Sequence, residues 1–166
     1  SFIKSGNTTK SIPQSYIPNK SFFDKFTSFL RLNFFIPDSR VGWNKYAYKK
    51  VINIISNKKI DCIITTGPPH STHLIGLKIH NKYKLKWIVD LRDPWTEIFY
   101  LKNRFRFYFS EQKNKKLESE VLENSDAIIT TVGEKYHKIL SAKVSNKEKI
   151  FKLYNGFDKS VYEKIS

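Results

Sequence analysis

Four short runs of β-branched and aromatic residues, each halted by a turn-forming segment, constrain this chain more than any other feature. They are Ile60–Thr66 (IDCIITT), Leu85–Leu91 (LKWIVDL), Asp126–Val132 (DAIITTV) and Ile150–Tyr154 (IFKLY). Runs of this length between Gly, Pro, Asn and Asp read as buried strands. Helical patterns fill the gaps. Ser71 opens one that reaches about Lys82, with Leu74, Ile75, Leu77 and Ile79 apolar. A second runs from about Phe107 to Asn124, with Leu117, Val121 and Leu122 as its inner face. Gly133 begins a third through Leu140. Strand and helix in alternation predict βαβ units, hence an α/β fold with a parallel sheet. Right-handed crossovers are expected to place helices on both faces of that sheet.

Upstream, the spacing of Phe22, Phe26, Phe29 and Leu30 predicts a helix that starts at Ser21, with Asp24 completing a capping-box-like turn, and closes before Pro37. Trp43, Ala47, Val51, Ile54 and Ile55 form the stripe of another, ending near Asn57. Residues 1–20 are polar, carry Pro13 and Pro18, show no period and read as a linker or long loop. A further helix is expected from about Ser160. The domain is thus expected over 21–166.

At 166 residues the chain can bury a core without staples. No apolar run approaches the roughly 18 residues of a membrane span. The opening SFIKSGNTTK has no apolar centre and is not a secretory signal. A single cysteine, Cys62, excludes a disulfide within the chain and every zinc site built from several thiolates. Its apolar neighbours predict a buried small hydrophobe. The chain opens on serine and contains no methionine, so it reads as a piece of a longer protein.

The net charge is +15, from 30 basic and 15 acidic residues. It is uneven: +9 over residues 1–60, +1 over 61–100 and +5 over 101–166. Such a field favours polyanions, either nucleic acid or an anionic membrane surface. An AT-rich codon bias accounts for it equally, since 25 of the 30 basic residues are Lys. Arg104 to Lys116 (RFRFYFSEQKNKK) interleaves aromatic and basic residues. That pattern suits single-stranded nucleic acid, an anionic bilayer or a solvated helix face.

In an open parallel sheet, ligands bind outside the carboxyl ends of the strands. Four segments should meet there: Thr66-Gly67-Pro68-Pro69-His70-Ser71, Asp90-Leu91-Arg92-Asp93-Pro94-Trp95, Thr131-Val132-Gly133-Glu134 and Asn155-Gly156-Phe157-Asp158. Gly67 before two prolines makes a turned loop into a helix start at Ser71, whose backbone N–H groups can meet an anion or a sugar hydroxyl. His70 is a candidate polar ligand there, and His73 a cap or packing residue. Asp93 can accept from, or deprotonate, a hydroxyl, with Arg92 positioning the ligand. An Arg–Asp ion pair that stiffens the loop explains the same two residues. Trp95 offers a flat face to a sugar ring, or simply packs the loop. GxGxxG, Gly-Lys-Ser/Thr, GxSxG and HExxH are all absent, which argues against dinucleotide, P-loop, serine-hydrolase and zinc-protease chemistry. No metal site is expected.

DCIITTGPPHSTHLIG, KWIVDLRDPW, LENSDAIITTV and KLYNGFD, with Ile36–Trp43 (IPDSRVGW), resemble in order and spacing the first domain of family 4 glycosyltransferases. The closer likeness is to the bacterial group that builds surface polysaccharides of the cell envelope. The resemblance spans about Leu32 to Asp158. It implies a Rossmann-like domain, here partial, from a two-domain GT-B protein. Such a protein moves a sugar from a nucleotide-sugar donor to a saccharide or lipid-linked acceptor, normally without a metal or other cofactor. The resemblance implies Asp93 as catalytic residue and turns His70 toward the cleft; with Gly67, Ser71, Arg92 and Trp95, read from their places at the strand ends, His70 is expected to contact substrate. Arg92 stands where the family commonly has His. It also implies a missing C-terminal donor-binding domain and inactivity of this piece alone. The aromatic and basic residues of Phe22–Phe35 and Phe105–Lys116 predict a cytoplasmic place at the inner face of the cell membrane, where a lipid-linked acceptor would be met. The alternative is a non-catalytic basic α/β module that binds nucleic acid; the resemblance leaves no specific nucleic acid expected.

Overall fold

The structure, a computed structural model, describes residues 22–98, 105–131 and 133–156. The expected linker 1–20, the cap at Ser21, Arg104, Val132, Phe157, Asp158 and the helix from Ser160 lie outside the described residues. Helices α1 (Phe22–Phe34) and α2 (Asn44–Asn57) come first. Then strands and helices alternate: β1 (Cys62–Gly67), α3 (Ser71–Tyr83), β2 (Lys86–Leu91), α4 (Tyr108–Asn124), β3 (Ala127–Thr130), α5 (Glu134–Ser141) and β4 (Ile150–Lys152).

The four strands form one all-parallel sheet in the order β1-β2-β3-β4. Thr65, Val89, Ile128 and Ile150 share one register row, so all four strands end at the same edge. An aspartate fixes the start of β2 beside β3: the Trp87 N–H donates to Asp126 Oδ2 at 2.8 Å, and Lys86 Nζ to its Oδ1 at 3.1 Å. The fold class is therefore α/β with a parallel sheet flanked by helices.

The expectation of helices on both faces is corrected. Trp87, Val89 and Leu91 of β2, with Ile128 and Ile150, are fully or nearly buried. Leu74 and Leu77 of α3, Leu117, Val121 and Leu122 of α4, and Ile139 and Leu140 of α5 pack against them. The alternate residues Ile64 and Phe151 are more than half exposed. Among the described residues, the three crossover helices thus share one face. The reason is topological: consecutive neighbours joined by crossovers of one hand always return over the same face. A change of strand order is what sends a helix to the other side.

Two smaller expectations also change. Cys62 is exposed rather than buried, because it starts edge strand β1 on the same uncovered face as Ile64. The inner stripe of α2 is Ala47, Tyr48, Val51, Ile52 and Ile55, packed on α3; Trp43 and Ile54 face outward.

Candidate functional site

The loops after β1, β2 and β3 are stitched together at the carboxyl edge. The Arg92 N–H donates to the Gly67 carbonyl at 3.1 Å, and Thr131 Oγ1 donates to the Arg92 carbonyl at 3.3 Å. His70 Nε2 donates to the Pro94 carbonyl at 3.2 Å. The His70 ring stacks on Trp95 with centroids 5.0 Å apart and planes within 7°. His73 completes the cluster, its ring 5.9 Å from that of Trp95. His70, Arg92, Asp93 and Trp95 thus belong to one edge, as the shared direction of the strands predicts.

Their roles divide sharply by burial. Trp95 is 2% exposed, and its Nε1 donates to Asn114 Oδ1 at 2.9 Å. The expectation that it offers an open face to a sugar ring is not met; it belongs to the core, with His70 against one face. Gly67 is buried too. A Cβ there would lie 2.5 Å from His73 Nε2 and 3.1 Å from His70 Nδ1, so glycine is what lets the two imidazoles close on the strand end.

Ser71 receives a different correction. Its N–H donates to Asp38 Oδ2 at 2.7 Å and its hydroxyl to Asp38 Oδ1 at 2.9 Å. The next two N–H groups, of Thr72 and His73, bond the Pro69 and His70 carbonyls. The expected anion site at the start of α3 is therefore filled by the protein's own carboxylate. Asp38 comes from the Ile36–Trp43 segment, and Asn44 Nδ2 reinforces the joint by donating to the Ser71 carbonyl at 2.7 Å. Sequence reading missed this cap because its partners are 33 residues apart. Only the local Asx turn, in which the Arg40 N–H donates to Asp38 Oδ1, leaves a trace in the sequence.

Both histidines are held neutral. Burial pushes His70 below its usual value, against the opposing pull of Asp38 and the Pro94 bond. Burial, with His70 adding to it, pushes His73 down to about 3. His73 Nδ1 hydrogen-bonds Thr65 Oγ1 at 2.9 Å, and that oxygen also accepts from Trp87 Nε1 at 2.9 Å. Neutral, buried imidazoles shape this loop and present no charge to an anion.

In the loops after β1 and β2, Thr66, Pro68, Arg92 and Asp93 remain open. The sequence left an Arg92–Asp93 pair open as an explanation of that dipeptide. Instead Arg92 Nε donates to Asp90 Oδ2 at 3.0 Å. Asp90, itself buried, sits on the uncovered face beside Thr66 of β1. Asp93 is exposed and, among the described residues, nothing pairs with its carboxylate. The loop that carries it is anchored from below. Glu118 of α4, buried, accepts from the Thr96 hydroxyl and from Lys143 Nζ, the latter at 2.8 Å, and Lys143 also reaches Glu97 at 3.2 Å. A rigid support thus presents one unpaired carboxylate beside one half-exposed guanidinium. Such a pair can accept a hydroxyl proton and orient an anionic or hydroxyl-rich ligand. Among the described residues, no group of three or more His, Cys, Asp or Glu is placed to hold a metal ion.

No protein-family model matches the chain, and no curated protein matches it significantly.

Proposed function

We propose that this chain is the acceptor-side part of a glycosyltransferase that moves a sugar from a nucleotide-sugar donor to a saccharide or lipid-linked acceptor. The observation that supports it is the carboxyl edge itself: Asp93 stands unpaired among the described residues, beside Arg92, on a loop pinned by Glu118 and Lys143. In this reading Asp93 takes the proton of the acceptor hydroxyl as its oxygen attacks the anomeric carbon and the nucleoside diphosphate leaves. Arg92 orients the acceptor. Gly67, His70, Ser71 and Trp95 hold the loops from beneath without touching the ligand. The nucleotide sugar is a substrate held by a donor-binding domain, and the reaction calls on no metal. A lipid-linked acceptor places the work at the cytoplasmic face of the cell membrane.

The test is sugar transfer by the full-length parent protein, with labelled nucleotide sugars and a lipid extract as acceptor. Asp93→Asn should lower turnover by about 10²–10⁴-fold with an unchanged melting temperature. Transfer at the parental rate removes Asp93 from the mechanism. A second reading, a basic module that binds nucleic acid, is favoured by the charge of +15 alone. It requires tight, salt-sensitive oligonucleotide binding and no sugar transfer by that same protein.

A further inference from the structure

Helix α1 is mounted with its apolar side outward. Phe23, Phe26, Leu30 and Phe34 recur at helical spacing, and the three phenylalanines are exposed, Phe23 at 71% and Phe34 at 62%. The buried contact is made instead by a polar residue. Asn33 Oδ1 accepts from the Phe107 N–H at 2.6 Å, and the Asn33 carbonyl accepts from Ser110 Oγ at 2.8 Å. These bonds fasten α1 to the start of α4. Phe29 packs on Phe105 and Phe107, with ring centroids 6.0 and 5.4 Å away. Phe107 in turn meets Phe34 and Phe109. The result is a cluster of Phe29, Phe34, Phe105, Phe107 and Phe109, and Phe105, Tyr108 and Phe109 are also exposed.

The six exposed rings present on the order of 800 Å². The surface is also basic. Residues 22–35 and 105–116 hold six basic and two acidic residues, a net of +4. Glu111 is paired with Lys115 at 2.5 Å, and Lys116 lies 3.9 Å from Glu120 just past that stretch, which brings the net to +3.

We infer that this surface docks on an anionic lipid bilayer, with the phenylalanines entering the headgroup region and Arg31, Lys113 and Lys116 facing lipid phosphates. Charge selects the occupant. A second copy would bring positive charge against positive charge, whereas an anionic leaflet complements the surface and admits its rings. No described helix is long and apolar enough to cross a membrane, so the contact is interfacial. The inference rests on this surface alone and holds whether or not the carboxyl edge transfers sugar.

The experiment is co-sedimentation of the full protein with vesicles of phosphatidylglycerol and phosphatidylcholine, against vesicles of phosphatidylcholine alone. Binding is expected only with the anionic vesicles and should fade between about 0.05 and about 0.5 M salt. The triple variant Phe23→Ser, Phe26→Ser, Phe34→Ser should bind at least about tenfold more weakly. Arg31→Glu with Lys113→Glu and Lys116→Glu should lose roughly a hundredfold or more. Circular dichroism confirms that each variant is folded, and the two sets alter different side chains of one surface. The proposal is overturned by folded protein that stays in the supernatant with anionic vesicles at low salt. Equal, salt-insensitive binding to both lipids also overturns it. So does a concentration-dependent dimer that the phenylalanine substitutions dissolve while vesicle binding is absent.

Discussion

Neighbouring residues of one strand meet opposite fates in this sheet. Trp87, Val89 and Leu91 are shut away beneath α3 and α4, while Ile88, between them, is only partly covered. On β1 the contrast is wider: Thr65 is buried and Ile64 is 63% exposed. The residue types on the two faces barely differ. What differs is the returning chain, because sequential strand order sends every described crossover over one face. Apolarity marks a residue as fit for burial, and topology decides whether burial happens.

Substitutions that probe the two faces should separate by several kcal/mol. The tightest place on the covered face is Gly76, on the inner side of α3. A Cβ there would press on the Trp87 indole, 2.5 Å from its Cε2, and lie 2.8 Å from Thr65 Cγ2. The indole cannot retreat, since it is fully buried and its Nε1 is bonded to Thr65 Oγ1. Gly76→Ala should therefore destabilise by about 3 kcal/mol, despite the better helix propensity of alanine. Urea denaturation measures it. A variant as stable as the parent would mean that α3 has slack over the sheet, and the contrast between the faces would shrink.

Acid should attack the covered side next. His73 titrates near its ordinary 6.5 in the unfolded chain and at about 3 when folded. Between those values the unfolded state holds a proton that the native state lacks, so stability falls as pH falls through that window. The slope is about 1.4 kcal/mol per pH unit for one proton, or about 2 kcal/mol between pH 6.5 and pH 5. His70, shifted in the same direction, adds to it. Glu111 and Glu134, held low by hydrogen bonds from Lys115 and Lys152, lose their contribution only at still lower pH. In His73→Asn the stability curve should flatten over this window, even if the variant is less stable throughout. An unchanged slope would place the titrating group elsewhere.

Much of this arrangement was legible in the chain. The β-branched runs marked all four strands, and their alternation with helices marked the parallel sheet. From that direction alone Arg92 and Asp93 could be placed with His70 at one edge. Burial could not be read in the same way. Trp95 next to Pro94 looks equally suited to a cleft wall or to a core, and only the approach of His70 and Asn114 decides it. The Asp38 cap on Ser71 and the Asp90 partner of Arg92 depend on distances that spacing does not encode. The covered face escaped for another reason. A run such as LKWIVDL, apolar at consecutive positions, is the usual mark of a strand buried on both sides, yet among the described residues the crossovers cover only one.

The smallest effect should come from Ile64, and it is the sharpest test of the comparison. Ile64→Thr keeps the β-branch, so the strand preference of β1 is nearly conserved. It exchanges an apolar group for a hydroxyl that water can reach. With most of the side chain already in solvent, little transfer free energy is at stake, and the change should lie within about 0.5 kcal/mol. The same exchange at Ile128, buried on the opposite face, replaces packed hydrocarbon with a hydroxyl lacking an obvious partner and should cost about 2 kcal/mol or more. If Ile64→Thr instead costs as much as Ile128→Thr, the face that carries Ile64 is covered in solution and the two faces are equivalent.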